Sequence, residues 1–544
     1  MSQDPTRVDA ISLEVLRHAI SAIADEMNAN LVRTSYSPNI KERRDCSSAV
    51  FDAQGQMIAQ AESIPVHLGA MPYSVIAAIN HVEAFAPGDV IVLNDPYSGG
   101  AHLPDVTFVA PVFVEDRLIG FVANRAHHAD VGGKEPGSLA GDTVEIYQEG
   151  LRIPPIHLWK GGALSDDLLQ MILANVRTPE ERWGDLRAQK AGCAIGIDRI
   201  QQLCQRIGQS VLLDAMSAVL DYSDRRMRHQ ISLLPQGEAC FEDVLDNDGI
   251  LNEPIPIRVR VAIQRDRIAV DFSGTADQVR GPVNAVYAVT ASATYYAIRA
   301  FADPDIPPNS GCYRAIEITA PQGSVVNACL PAPVVGGNLE TSQRIVDVVL
   351  GALGKLAPER SIAACQGSMN NLAIGGVDPR TGKPFTIYET MAGGFGARSS
   401  KDGIDGIHSH MTNTLNTPIE ALETSYPLRV ERYELRPGTG GQGQYRGGLG
   451  LRRDMTCLAP TARASFLTDR RINPPYGVQG GQPGALGRNV LIRDGQEMPL
   501  PAKGAITLFV GDTISIQTPG GGGYGLASKR DSAAIDHDRH EGRL

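Results

Sequence analysis

Between Asn94 and Gly137 the chain reads NDPYSGGAHLPDVTFVAPVFVEDRLIGFVANRAHHADVGGKEPG, and this stretch carries five potential metal ligands: His102, Asp105, His127, His128 and Asp130. Imidazole and carboxylate donors in such a set can hold a divalent ion and leave positions open for water. The same residue types also serve as plain turn formers at strand ends, and Leu103-Pro104 suits a turn. An HxxD spacing alone therefore decides nothing. What singles these residues out is the segment between them. Val106 to Val114 is rich in β-branched and aromatic residues, Glu115-Asp116 is a polar break, and Arg117 to Ala123 resumes the apolar run. Folding this hairpin about Asp116 sets Asp105 opposite His127. His102, three residues upstream of Asp105, reaches the same point. Gly99-Gly100 and Gly132-Gly133 fit tight turns or a close backbone approach, and fit ordinary loops equally well.

A second hairpin is expected upstream. Cys46 to Phe51 forms one strand, Asp52-Ala53-Gln54-Gly55 the turn and Gln56 to Gln60 the return, which brings Asp45 near Glu62 at an open end. Asp45 is a candidate further metal ligand or supporting carboxylate; an ion pair with Arg43 or Arg44 is the alternative. His67, in IPVHLG, reads as a buried structural histidine, with a direct catalytic role as the other possibility.

The remaining texture sets the scaffold. Ser12 to Thr34 reads as an amphipathic helix, with Leu16, Ile20, Ile23 and Met27 at helical spacing. Asp166 to Leu234 looks mainly helical, with a start at Thr178-Pro179. Ile255 to Ile263 and Arg267 to Phe272 form a third hairpin, and helices are expected near Val286 to Ala302 and after Gly336-Gly337-Asn338-Leu339-Glu340-Thr341-Ser342. AGGFGARSSKDGIDGIHSHMTNT is either a substrate-facing loop or mobile surface, with His408 and His410 more readily solvated than inward. Beyond Pro427 glycine and short strands dominate. TPGGGGYG at 518 to 525 opens no helix and so fails the context of a phosphate cradle. The fold class expected is α+β: mixed α/β units with a hairpin-borne metal site, a helical segment and a glycine-rich β part. Composition shifts divide the chain into 1–235, 236–427 and 428–525, with 526–544 a frayed tail.

Composition excludes several classes. With 544 residues, a net charge of −11 and a pI near 5.6, the chain shows no basic stripe for nucleic acid. The eight cysteines form no CxxC pair, so a thiolate zinc site or a disulfide framework is not expected, and reduced thiols in a cytoplasmic protein are. The N-terminus lacks signal-peptide character, and no apolar run spans a bilayer.

Taken in order, ERRDCSSAVFD (42–52), IPVHLGAMP (64–72), NDPYSGGAHLPDV (94–106), NRAHHADVGG (124–133), DFSGT (271–275), GGNLETSQR (336–344) and TPGGGGYG (518–525) resemble the hydantoinase B/oxoprolinase family. That family includes subunits of ATP-dependent hydantoinases and N-methylhydantoinases, part of 5-oxoprolinases, and subunits of acetone and acetophenone carboxylases. The resemblance implies a divalent metal, zinc or manganese, on His102, Asp105 and His127; Asp45, from the hairpin reading, would complete the site or orient a ligand. It also implies a separate hydantoinase A-type ATPase partner that binds the ATP, since no such half follows Leu544. The expected reaction is opening of a hydantoin, 5-oxoproline or lactam-type ring. The partner phosphorylates the amide oxygen, and water acidified by the ion, from a pKa of about 15.7 to about 7, attacks here. His128 or Asp130 would move the proton or serve as supporting hydrogen-bonding groups. An acetone-type carboxylase subunit is the runner-up, and a non-catalytic assembly subunit the reading from another class.

Overall fold

The computed structural model describes residues 9–61 and 63–544. It is a mixed α/β structure with four sheets. The first has seven strands in the order β2-β1-β5-β4-β3-β6-β7, formed by β1 (Cys46–Asp52), β2 (Met57–Gln60), β3 (Val90–Leu93), β4 (Asp105–Val114), β5 (Arg117–His127), β6 (Ile156–Lys160) and β7 (Ala163–Leu164). Every pairing in it is antiparallel. The long hairpin forms as its pattern requires: Asp105 pairs with His127 and Val114 with Arg117. A bulge between Val112 and Phe113 absorbs the turn, where Glu115 takes a φ of 53°.

One helix, Ala10–Thr34, starts at Asp9, whose carboxylate accepts the Ile11 and Ser12 amides, and buries Leu16, Ile20, Ile23 and Met27. It packs against a long helix, Pro179–Ile207, which also covers β4 and β5. Small residues permit the approach: a Cβ at Gly196 would lie 2.4 Å from the Met27 sulfur. This helix and its neighbours Asp166–Ala174 and Gln209–Ser232 make up the expected helical region. Thr178 precedes its helix without a side-chain capping bond.

The second sheet, β11-β10-β9-β8, joins β8 (Gly237–Leu245), β9 (Ile255–Gln264), β10 (Arg267–Asp271) and β11 (Ile316–Thr319), with β10 and β11 parallel. A single π turn, Gly337–Thr341, feeds the buried helix Ser342–Leu356. The third sheet, β13-β12-β16-β19, and the fourth, β14-β15-β20-β17-β18, comprise β12 (Asn371–Val377), β13 (Pro384–Glu389), β14 (Leu428–Leu435), β15 (Leu451–Cys457), β16 (Thr461–Leu467), β17 (Arg488–Arg493), β18 (Gln496–Leu500), β19 (Lys503–Phe509) and β20 (Thr513–Gln517). Strands begin close to residues 235 and 427, yet the apolar cores cross both positions. One core unites Leu16, Phe108, Met216 and Val334; another unites Ile64, Ile257, Val348 and Leu467.

Two expectations are corrected. The tail is not frayed: Ser532–His540 is helical, and Asp538 is buried against Arg530 (2.5 Å) and Arg446 (3.2 Å). Charge pairing, invisible to an apolar-period reading, holds this helix. Nor do His408 and His410, in the 392–414 segment, face solvent, although Ser399, Ser400, Lys401 and Ile404 of that segment do. His410 is buried with a φ of 55° and lies 3.3 Å from Asp347, and both ring nitrogens of His408 are buried. All eight cysteines are free thiols. Among the described residues no helix is long and apolar enough to cross a membrane.

Candidate metal centre

The centre is assembled at the mouth of the β4–β5 hairpin. The NDPYSGG segment is built by local hydrogen bonds. Asn94 donates to the Leu103 carbonyl (2.7 Å), and its own side-chain oxygen accepts the Ile153 amide (2.7 Å). Asp95 caps the Tyr97 amide (3.0 Å). Gly99 adopts a φ of 91° where a Cβ would meet the Tyr73 carbonyl at 2.6 Å. The following turn, closed by the Asp105 amide on the His102 carbonyl (3.1 Å), stacks the two side chains over each other. Backbone pairing then adds His127 from β5. One donor atom each from His102, Asp105 and His127 lie within 4.8 Å of one another, all three residues buried.

The donor set fits a divalent ion on three counts. Both ring nitrogens of His102, Oδ1 of Asp105 and Oδ1 of Asn338 are buried without a hydrogen-bond partner among the described residues. Such orphaned atoms are expensive in a dry interior and rare unless a ligand satisfies them. His102 Nδ1 approaches Asp105 Oδ2 to 3.0 Å without the alignment of a hydrogen bond, as donors aimed at a common third atom do. The states of His127 and Asp105 also suit ligation. Burial pushes the His127 imidazole well below its usual range, with His102 adding to the effect, so the ring is neutral. Burial works against the charge of Asp105, but His102 and His67 hold its carboxyl well below the ordinary value.

Neighbouring side chains fix the donors. Asp105 Oδ2 receives Asn338 Nδ2 (3.4 Å) and lies 3.5 Å from His67 Nε2, which turns the free Oδ1 outward. His67 Nδ1 is in turn 3.0 Å from Ser47 Oγ. The His127 ring stacks on Tyr388 (centroids 4.6 Å apart, planes 7° apart), and Asn39 Nδ2 lies 3.1 Å from its Nδ1. Such outer contacts set ring orientation and tautomer at metal sites.

Of the other expected residues, Asp45 comes closest. Its carbonyl accepts the His127 amide (3.0 Å), and its carboxyl feels the charges of Arg43 first, then of His67, Asp105 and His102. It forms no ion pair with Arg43 or Arg44 among the described residues; Arg43 is spent on the Leu415 and Tyr388 carbonyls, Asn39 and Thr390. Burial raises its carboxyl above the ordinary value. The expected partner Glu62 lies outside the described residues. His128 and Asp130 are not brought into the cluster. His128 faces away from His127, its Nε2 2.9 Å from Gln189 Oε1 on the long helix. Asp130 accepts from the Gly132, Gly137 and Arg177 amides and pairs with the Arg177 guanidinium (2.8 Å), bracing its own loop. Asn338 and Tyr388 were missed by sequence reasoning, whereas His67 is the buried histidine its setting suggested, packed beside Asp105. The GGNLETSQR stretch was the one available signal for Asn338; π turns of this kind recur at functional sites.

Glu340, on the same π turn, serves another environment. Its Oε1 accepts the Met369 amide (3.1 Å) and Asn371 Nδ2 (2.8 Å), while Oε2 meets the hydrogen-bond geometry with none of the described residues. Burial, with Asp469 adding to it, pushes its carboxyl up to about 8. The unfolded chain releases this proton near 4.5 and the folded chain only near 8, so this group's contribution to stability falls as pH rises between those values. Glu340→Gln keeps the shape and cannot ionise. Its melting temperature relative to wild type should therefore climb from about pH 5 to about pH 8; a pH-independent difference in thermal melts would contradict this.

Fold and cluster define a mixed α/β chain that carries a candidate divalent-metal centre. The chain belongs to the hydantoinase B/oxoprolinase family, which its residues 9–527 match. It is 44% identical over 535 residues to an uncharacterized protein of Methanocaldococcus jannaschii, covering 98% of this chain and 93% of that one. Identity is 36% over 541 residues to 5-oxoprolinase 1 of Arabidopsis thaliana (95% of this chain, 42% of that one). Over 565 residues it is 33% to a candidate D-/L-hydantoinase subunit of the B type from Pseudomonas sp. (strain NS671), covering 99% and 94% of the two chains. This chain thus spans about two fifths of the plant 5-oxoprolinase and nearly all of the other two. Among solved structures, the ATP-dependent caprolactamase from Pseudomonas jessenii superposes with a TM-score of 0.91 at 32% identity, covering 98% of this chain and 94% of that one. An acetone carboxylase in its nucleotide-free form superposes with a TM-score of 0.91 at 19% identity (98% and 78% covered), a likeness of fold alone.

Proposed function

We propose that this chain is the metal-carrying subunit of an ATP-dependent cyclic amidohydrolase that opens hydantoin, 5-oxoproline or lactam-type rings. The ATP is bound by a separate hydantoinase A-type ATPase partner. The observation that carries the reading is the buried His102–Asp105–His127 donor cluster with its unpartnered atoms. The similarity to 5-oxoprolinase, a hydantoinase subunit and caprolactamase supports the reaction class. A relative named as a subunit supports the partner.

His102, Asp105 and His127 would hold zinc or manganese. A bound divalent ion would supply a water acidified toward neutrality and polarise the electrophile. The partner's phosphorylation of the amide oxygen makes the ring carbon attackable. Water then adds to that carbon, the C–N bond breaks with its electron pair on nitrogen, and nitrogen takes a proton. The remaining acyl phosphate releases phosphate to a second water. Asp45, with a carboxyl beside the cluster, is the group assigned to take the proton from water. His67 and Asn338 hold Asp105 in orientation. The proton step is not assigned to His128 or Asp130, whose polar atoms serve Gln189 and the 130–138 loop. His128→Asn should accordingly leave metal content unchanged and ring opening within about threefold of wild type, with a lowered melting temperature as its main effect. Loss of the ion in that variant would overturn the assignment.

The test is a panel of cyclic amides offered to the purified chain with its ATPase partner, ATP and a divalent ion. The reading expects ADP release matched by ring-opened product. Bicarbonate-dependent ATP turnover with ketones would instead favour the carboxylase reading, against which the lower identity and coverage of the acetone carboxylase stand.

A further inference from the structure

Charge around the centre is distributed in an unusual way. Two guanidiniums, Arg43 and Arg125, are fully buried beside it. Neither forms an ion pair among the described residues. Arg43 is held by carbonyls, amide and hydroxyl groups. Arg125 donates from Nε to Thr107 Oγ1 (2.9 Å) and from Nη2 to Ser74 Oγ (2.8 Å), and its Nη1 is buried with no hydrogen-bond partner among the described residues. Buried cations of this kind are normally paired, because an uncompensated charge in a dry interior is costly.

The position of Arg125 is fixed by the sheet. On β5 it lies two residues before His127 and so on the same face, about 7 Å along the strand. Opposite it on β4 is Thr107, two residues after Asp105. On its other side, in β1, is Ser47, whose hydroxyl meets His67. The free guanidinium nitrogen therefore belongs to the layer of side chains directly next to the His102–Asp105–His127 cluster. Formal charges there already cancel: Arg43 and Arg125 against Asp45 and Asp105. Neighbouring carboxylates are committed elsewhere, Glu389 to Arg453 (2.8 Å) and Asp185 to Arg182 (2.9 Å). A divalent ion would leave the layer with two surplus positive charges and a guanidinium fork with one arm open.

We propose that Arg125 is an oxyanion-binding residue of this centre, which with the ion receives a phosphoryl or carboxylate group, so that the substrate is accepted there as an anion and not as a neutral ring. This rests on the function proposed above and narrows its substrate class. A guanidinium suits the role because its planar fork matches two oxyanion oxygens at once, which an ammonium cannot do. The anion would be the phosphoryl group added by the partner, or a carboxylate carried by the ring itself.

The test uses the full chain loaded with cobalt(II), whose visible absorption reports its own ligands. Inorganic phosphate, acetate and the neutral lactam 2-pyrrolidinone are titrated in turn. At least one anion is expected to shift the spectrum saturably, while 2-pyrrolidinone does not. The phosphate arm succeeding marks the phosphoryl source, and acetate alone succeeding marks the carboxylate source. Arg125→Lys should bind one equivalent of cobalt as wild type does, yet weaken the anion by about tenfold or more. A brace for Thr107 and Ser74 alone would not produce that split. Equal response to the neutral lactam, or wild-type anion affinity in Arg125→Lys, overturns the proposal. If that variant does not fold, the anion-against-lactam comparison on the wild-type chain still decides it. A chain that takes up no cobalt overturns the proposed function itself; one that loads cobalt but binds no anion overturns only this inference.

Discussion

Replacing His102 with alanine is expected to empty the centre and to lower ATP-coupled ring opening by about a thousandfold or more, with little loss of fold. The expectation follows from the ring's surroundings, in which neither nitrogen has a hydrogen-bond partner among the described residues. Truncating a buried side chain ordinarily leaves a cavity that costs about 2–5 kcal/mol. Here the same change also removes two unsatisfied polar atoms from the interior, which offsets part of that loss. The larger difference appears when metal is supplied. A ligand that binds only the folded state adds about 2.7 kcal/mol at a hundredfold excess over its dissociation constant. Thermal melts with and without zinc or manganese should therefore shift for wild type and stay still for His102→Ala. Metal content, read by elemental analysis, should fall with the activity. A variant that keeps both its ion and its rate would show that the cluster is only a buried polar knot.

The second large effect lies far from the metal. Gly521→Ala is expected to prevent folding or to yield an insoluble chain, a loss on the order of 4–5 kcal/mol or more. The Thr518–Gly525 segment packs backbone to backbone against other glycine-rich runs. A Cβ at Gly521 would lie 2.2 Å from the Phe395 carbonyl oxygen, one at Gly520 would lie 1.9 Å from that of Thr439, and one at Gly447 would lie 1.9 Å from that of Gly521. These neighbours are main chain and cannot rotate away. The segment is also pinned by hydrogen bonds from the Gly521 amide to Gly448 and from the Gly522 amide to Ala364, each 2.8–2.9 Å. Gly382→Ala is the control. Unlike Gly521 it sits at a positive φ, 70°, but has open space around it, so it should cost only about 1–2 kcal/mol. Soluble expression and a thermal melt compare the two. Equal tolerance would mean that the glycine-rich packing is not a structural requirement.

These two sites mark how far the residues alone can be read. The β4–β5 hairpin was legible because β-branched alternation defines its strands and antiparallel pairing then fixes which ends meet; Asp105 against His127 follows by counting. The same alternation could have separated His127 from His128, since adjacent strand residues face opposite sides. His128 instead served the helix that covers the sheet. What sequence spacing did not reveal was the supply of partners from afar. Asn338 reaches Asp105 across 233 residues and Tyr388 reaches His127 from another sheet, contacts that no local period encodes. Arg125 lay within the scanned stretch but looked like an ordinary strand residue until its buried, unpartnered Nη1 became visible. The glycines at 518–525 were rightly denied a phosphate role by their context, yet their packing role depends on which backbones surround them.

X-ray absorption at the edge of the metal that co-purifies with the chain tests the central claim most directly. The account predicts one divalent ion per chain in a shell of nitrogen and oxygen donors, with the multiple scattering of two imidazoles, and loss of that signal in His102→Ala. A chain without an ion, or an ion in a sulfur shell, would contradict it.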